Sequence, residues 1–260
     1  MIVREEGRVF DDLAGKVAVV TGGARGLGLS MAHALARHGV RIGLLDLLDD
    51  VEASAADEFG VETVGVTADV TSADDVAAAF ARISDALGSP SLLVNAAGIV
   101  VWEDSLDAPA ESWRRVVDIN LTGTFLCCQA LGRACRDDGH PGAIVNVSSM
   151  SGRVVNVPQH QASYNASKAA VDQLTKSLAV EWADLGVRVN AVAPGYFLSD
   201  MTRQFTEANP ELAERWRGMI PVGRMGEPQD LDGLVVFLCS SASSYLVGQS
   251  IAIDGAYTAV

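Results

Sequence analysis

Seven short apolar runs, separated by longer amphipathic stretches, recur from residue 16 to residue 254. They read KVAVVT (16–21), RIGLLD (41–46), TVGVTA (63–68), LLVN (92–95), AIVNVS (143–148), VRVNAVA (187–193) and SIAID (250–254). Runs of this length, rich in Val, Ile and Leu, suit strands covered on both faces. The stretches between them are long enough for helices. Over residues 72–87, for example, Ser72 is placed to cap and Asp74 and Asp75 favour the first turn. Strands that alternate with helices form right-handed βαβ units. The pattern therefore predicts an α/β fold: a doubly wound, Rossmann-type parallel sheet with helices on both faces. No repeat, low-complexity tract or linker breaks it, so residues 15–260 are expected to form one domain behind an extension over 1–14.

Composition removes several classes of function. A net charge of −14 leaves no basic face for a phosphate backbone, so nucleic acid is excluded as a partner. Cys127, Cys128, Cys135 and Cys239 fit neither a zinc site nor a CxxC redox pair and are expected to be inert thiols in a reducing compartment. The first residues lack the apolar core of a signal peptide, and no apolar run is long enough to span a bilayer. A soluble cytoplasmic protein without a membrane partner is the expectation.

In sheets of this kind ligands collect beyond the carboxyl ends of the strands. Directly after the first run stands Thr21-Gly22-Gly23-Ala24-Arg25-Gly26-Leu27-Gly28, followed by an amphipathic helix. Gly22 can make the tight turn, Gly26 lets backbone approach a pyrophosphate, and Gly28 lets helix and strand pack closely. The second run ends at Asp46, whose carboxylate can accept from the hydroxyls of an adenosine ribose and would repel the extra phosphate of NADP. NAD is therefore favoured over NADP, although Arg25 is a base that could meet that phosphate. Asp69 and Val70 are placed to flank the adenine, and Asn95-Ala96-Ala97-Gly98 closes the fourth run.

Tyr164 and Lys168, four residues apart, lie on one face of a helix. A free phenol titrates near ~10, and a neighbouring ammonium is expected to lower that value and make Tyr164 a base. Ser149, at the end of the fifth run, can bond a substrate oxygen. Asn120 can hold a water leading toward Lys168. Pro194-Gly195 makes a turn after the sixth run, and Ser199 can bond a nicotinamide carboxamide.

TGGARGLG, NAAG, Asn120, SS followed by YNASK, and APG, in this order, resemble the short-chain dehydrogenase/reductase family over nearly all of residues 15–260. That resemblance implies a catalytic tetrad of Asn120, Ser149, Tyr164 and Lys168, and often a homotetramer. It implies a cofactor site over Gly22, Arg25, Gly26, Leu27, Gly28, Asp46, Asp69, Val70, Asn95, Ala96, Gly98, Tyr164, Lys168, Pro194, Gly195, Phe197 and Ser199. A helical segment around 199–218 is implied to close over the substrate. Ala256, where Asp-Gly-Gly is more usual, is the one departure and touches only the C-terminal turn.

The loop over 150–163 joins two of these residues and carries Ser151, Asn156, Gln159, His160 and Gln161. Such a density of hydrogen-bonding groups suits a polyol better than an acyl chain. The string SMSGRVVNVPQHQASYNASK, with PELAERW and GRMGEP downstream, is similar to the family's sugar-alcohol dehydrogenases, which act on arabinitol, galactitol and related polyols. By that similarity Ser149, Ser151, Asn156 and Tyr164 contact the substrate. Some such enzymes hold a structural magnesium near the C-terminus, but this sequence has no carboxylate cluster to establish one, so no metal is expected. The reading is an NAD-dependent oxidoreductase that interconverts a secondary alcohol and its ketone. A 3-oxoacyl-thioester reductase is the alternative on the same fold, disfavoured by Asp46 and the acidity. A non-catalytic nucleotide-binding scaffold is the alternative of another class, disfavoured by the intact tetrad.

Overall fold

All seven apolar runs are strands in the computed structural model, which describes residues 10–52 and 59–260, with backbone alone at 200, 201, 204 and 205. They are β1 Val17–Thr21, β2 Arg41–Asp46, β3 Thr63–Thr67, β4 Leu92–Asn95, β5 Gly142–Val147, β6 Val187–Pro194 and β7 Ser250–Ile253. One parallel sheet runs in the order β3-β2-β1-β4-β5-β6-β7. The order reverses direction between β1 and β4, which opens a crevice at their carboxyl ends. Both the glycine loop and Asn95-Ala96-Ala97-Gly98 leave the sheet at that crevice.

The described helices are α1 Gly26–Ala36, α2 Ala73–Leu87, α3 Ala110–Val117, α4 Thr124–Asp138, α5 Ala162–Glu181, α6 Asp200–Ala208, α7 Pro210–Met219 and α8 Asp232–Cys239. Side chains alternate along β1, so Ala18 and Val20 face one layer while Val17 and Val19 face the other. The first layer takes Met31 and Leu35 of α1 with Val235 and Leu238 of α8. The second takes Phe80 and Ile83 of α2, Cys127 and Leu131 of α4 and Leu178 of α5. Helix α2 starts as the sequence predicts, with the Ser72 hydroxyl accepting the Asp75 N–H at 3.2 Å.

Residues 1–9 of the expected extension lie outside the described residues. Leu13, within that extension, is fully buried in the first core layer. All four cysteines are free and buried. Burial pushes the thiols of Cys127 and Cys239 up to about 12 and Cys135 up to about 11, so none offers a thiolate near neutral pH. No helix among the described residues is long and apolar enough to cross a membrane.

Ala256 holds φ 69°, the one positive φ at a non-glycine position among the described residues. It is exposed, so its methyl group gains little from packing. The left-handed conformation costs an L-residue roughly 1–2 kcal/mol. Ala256→Gly removes that cost and increases unfolded-state freedom, for an expected net gain of about 0.5–1 kcal/mol. Thermal unfolding should move up by about 1–3 °C; an unchanged or lower midpoint would show that the turn carries no strain.

Candidate active site

The glycine loop is shaped by close approaches. A Cβ on Gly22, which also has φ 63°, would meet the Ala97 nitrogen at 2.8 Å, and one on Gly28 would meet the Gly22 carbonyl oxygen at 2.1 Å. Thr21 closes the same junction from beneath, its hydroxyl accepting the N–H groups of Ala96 at 3.1 Å and Ala97 at 3.2 Å. Gly26 differs: with φ 61° it has open space, its nearest neighbour being the Ser199 Cβ at 3.9 Å from a notional Cβ. Gly26, Leu27 and Gly28 begin α1, so their amides point off its positive end. A glycine cradle with open space at a helix start fits the pyrophosphate of a dinucleotide.

Asp46 lies at the carboxyl end of β2, where the sequence places it. One carboxylate oxygen accepts the Ala24 N–H at 3.0 Å and the other the Leu48 N–H at 3.2 Å, so Asp46 also tethers the glycine loop. Arg25 is exposed at the N-cap of α1. Other expected cofactor residues are engaged with the protein. The Asp69 carboxylate accepts the N–H and hydroxyl of Thr71, both at 2.8 Å. Val70 packs on Gly123, where a Cβ would approach its side chain to 2.7 Å. Asn95 is buried, donating to the Asn146 Oδ1 at 2.9 Å and the Cys128 sulfur at 3.2 Å. The Phe197 ring is buried in the first core layer against Gly226, and Leu27 packs against that layer. Pro194 ends β6, and a Cβ on Gly195 would meet the Asp254 Cα at 2.7 Å. Ser199 bonds Thr202 at 3.0 Å across from Gly26.

Asn120, Ser149, Tyr164 and Lys168 converge at the carboxyl ends of β4 and β5. Asn120 sits in a π-helical segment, Asp118–Gly123, that joins α3 to α4. Nothing in the residues of that segment announces a π turn, although such turns gather at functional sites. The Asn120 side chain accepts the Ile99 N–H at 2.8 Å and donates to the Ile99 carbonyl at 2.9 Å and the Ser167 hydroxyl at 3.0 Å. It thereby clamps the loop after β4 onto α5. Gly98 packs closely here: a Cβ would lie 3.2 Å from the Asn120 Oδ1, which would have to give slightly, and 3.5 Å from the Lys168 Nζ.

Lys168 Nζ donates to the Val147 carbonyl at 2.8 Å and lies 5.6 Å from the centre of the Tyr164 ring, so the two side chains do share a face. Burial lowers the ammonium to about 8, with Asp172 opposing. The expected acidification of Tyr164 is reversed in the chain alone. Burial raises the phenol, and the hydrogen bond from Ser149 works in the opposite sense. The Ser149 hydroxyl also accepts the Ser151 N–H at 3.1 Å.

Ser151 and Asn156 are buried and bonded to each other, hydroxyl to Oδ1, at 2.5 Å. Gln161 Nε2 joins them, donating to the Ser151 hydroxyl at 3.3 Å and the Asn156 Oδ1 at 3.2 Å. Asn156 Nδ2 donates at 3.3 Å to the hydroxyl of Tyr196, a residue the motifs do not single out. The Tyr196 ring stacks on Trp216 of α7 at 4.6 Å, and Trp102 meets Trp216 edge-on at 6.0 Å. His160 is exposed, its ring 3.6 Å from the Asp104 carboxylate. An aromatic following Pro-Gly at a strand end, with tryptophans at 102 and 216, is the signal that could have found this wall.

A parallel sheet in this order, with an open glycine cradle and a serine, tyrosine and lysine gathered at the carboxyl ends of its strands, defines a dinucleotide-dependent oxidoreductase. A family model described as enoyl-(acyl carrier protein) reductase matches residues 22–258. Galactitol 2-dehydrogenase (L-tagatose-forming) of Cereibacter sphaeroides is 46% identical over 247 residues, 95% of this chain and 96% of that one. Sorbose reductase of Candida albicans is 38% identical over 252 residues, 95% of this chain and 88% of that one. A crystal structure of a short-chain type dehydrogenase/reductase from Mycobacterium marinum superposes with a TM-score of 0.91 at 39% identity, over 97% of this chain and 100% of that one. The chain belongs to the short-chain dehydrogenase/reductase family. It is an NAD(P)-dependent oxidoreductase acting on CH–OH groups, interconverting a secondary alcohol and its ketone.

Proposed function

We propose that the chain is a cytoplasmic, NAD-dependent polyol dehydrogenase in which Tyr164 is the base, Ser149 and Lys168 assist it, and Asn120 holds their frame. The observation that carries this reading is the Tyr164–Lys168 pairing on one face of α5, 5.6 Å from ring centre to Nζ, with Ser149 bonded to the phenol. Bound NAD supplies the hydride acceptor. Tyr164 takes the proton of the reacting hydroxyl, and Ser149 steadies the oxygen as its charge develops. Lys168, with a value of about 8, keeps its charge at pH 7 and favours the phenolate against the burial that opposes it. The polyol substrate is supported by the similarity to a galactitol dehydrogenase and a sorbose reductase, and by the polar cluster around Ser151 and Asn156. Buried free thiols agree with a reducing compartment. The assembly is read as a homotetramer, for which exposed Val180, Tyr245 and Val260 offer apolar surface.

The test is a rate comparison of polyols, simple secondary alcohols and 3-oxoacyl thioesters with both dinucleotides. A polyol and NAD should give the highest kcat/KM; a preference for a thioester would overturn the reading.

Asp46 gives a separate handle on the dinucleotide. Because its carboxylate tethers Ala24, Asp46→Ala would also loosen the loop, whereas Asp46→Asn can keep its oxygen on the Ala24 N–H while giving up the charge and the bond from the Leu48 N–H. Asp46→Asn is expected to raise the NADP-to-NAD ratio of kcat/KM by about tenfold or more, the effect of relieving ~1.4 kcal/mol of repulsion. An unchanged ratio would remove Asp46 from cofactor choice.

A further inference from the structure

The hydroxyl of Tyr196 is held from two sides by side-chain amides. Gln159 Nε2 donates to it at 3.0 Å and Asn156 Nδ2 at 3.3 Å, and both residues are buried. A phenolic oxygen that accepts twice has its lone pairs occupied, so a bound hydroxyl can meet it only by accepting its proton, in place of the long bond it makes to the Gln159 Oε1 at 3.4 Å. Its ring is fixed as well, stacked on Trp216 and edge-on to Tyr257 at 5.6 Å. The Tyr257 hydroxyl faces the same proton, and burial keeps the Tyr196 phenol above its ordinary value, hence protonated through neutral pH.

This donor is wired to the reacting end of the site. Tyr196 follows Pro194-Gly195 at the end of β6, the neighbour of β5, which leads into Ser149. Three hydrogen bonds connect the two residues: Ser151 N–H to the Ser149 hydroxyl, Ser151 hydroxyl to Asn156 Oδ1, and Asn156 Nδ2 to the Tyr196 hydroxyl. The Ser151 hydroxyl and the Asn156 Oδ1 are engaged within this chain, so they hold the Tyr196 hydroxyl in place.

We propose that Tyr196 is a specificity-determining residue that donates a hydrogen bond to a non-reacting hydroxyl of the substrate. The inference rests on the polyol reading above and adds the residue that separates a polyol from a one-hydroxyl alcohol. A site built to bond a hydroxyl rejects an analogue that lacks it, because its own polar group is left unpaired.

Tyr196→Phe keeps the stacked ring and deletes the donor. Gln159→Glu keeps the phenol but places a carboxylate against it, which captures the proton. Galactitol and 2-butanol, each with NAD, are the two probes, and the melting temperature is read alongside. Each variant should lose roughly tenfold in kcat/KM for galactitol, mainly through KM, with 2-butanol unchanged. Equal losses on both substrates, or none on either, would overturn the inference, and Gln159→Glu decides should Tyr196→Phe fold poorly. Wild-type protein that turns over 2-butanol but not galactitol would instead sink the polyol reading itself. Wild-type protein that prefers galactitol, with both variants keeping that preference, sinks only the role of Tyr196.

Discussion

Tyr164→Phe should reduce kcat by about 10²–10⁴, the usual worth of a positioned general base, while NAD still binds. The variant retains the ring that lies 5.6 Å from Lys168 and loses only the hydroxyl bonded by Ser149. Ser149 keeps its hydrogen bond from the Ser151 N–H, so the pocket should stay assembled. Stopped-flow reduction of NAD would read the chemical step, and dinucleotide fluorescence would read binding. A variant with near-normal kcat would exclude the phenol as the base. The direction of the Tyr164 shift adds a second readout. Burial raises its value, so alcohol oxidation, which needs the phenolate, should become faster as pH rises from neutrality, and ketone reduction, which needs the phenol, should not. Both limbs should vanish in Tyr164→Phe.

That shift also marks where reading residues alone stops. The spacing of Tyr164 and Lys168 is enough to place them on one helical face, and the alternation of apolar runs is enough for the sheet and its parallel order. Whether an ammonium or the surrounding protein controls the phenol depends on how much water reaches it, which no spacing contains. The same limit explains Asn95, Asp69 and Phe197. Their positions after strands are legible, but the side chains of Asn95 and Phe197 turn to Asn146 and Gly226, partners fixed by packing between distant segments, and Asp69 turns to Thr71 in a local turn. Asp46 shows the mixed case. Its place at the end of β2 follows from the sequence, while its bond to Ala24 depends on how the glycine loop folds back. Tyr196 escapes motif reading entirely, because its meaning comes from Gln159 and Asn156 on one loop and Trp216 on a separate helix.

Gly28→Ala should be strongly destabilising, and comparing it with Gly26→Ala separates two uses of glycine in one loop. At Gly28 the added carbon would stand 2.1 Å from the Gly22 carbonyl oxygen. Gly22 has little room to retreat: a Cβ on it would lie 2.8 Å from the Ala97 nitrogen, and one on Gly23 would lie 2.8 Å from the Val20 carbonyl oxygen. Helix α1 must therefore move off β1, at a cost in the overpacking range of about 1–3 kcal/mol or more, and its first-turn amides move with it. At Gly26 the methyl group meets nothing nearer than 3.9 Å, so the cost to folding is only the strained φ of 61°, roughly 1 kcal/mol. What Gly26→Ala fills is the open cradle itself. The expected pattern is a large fall in melting temperature together with lost NAD binding for Gly28→Ala, and lost binding with a fall of only about 2–4 °C for Gly26→Ala. Should Gly26→Ala bind NAD as the wild type does, the pyrophosphate does not lie over that residue. Should the two variants melt alike, the close approach at Gly28 is not what holds α1 against the sheet.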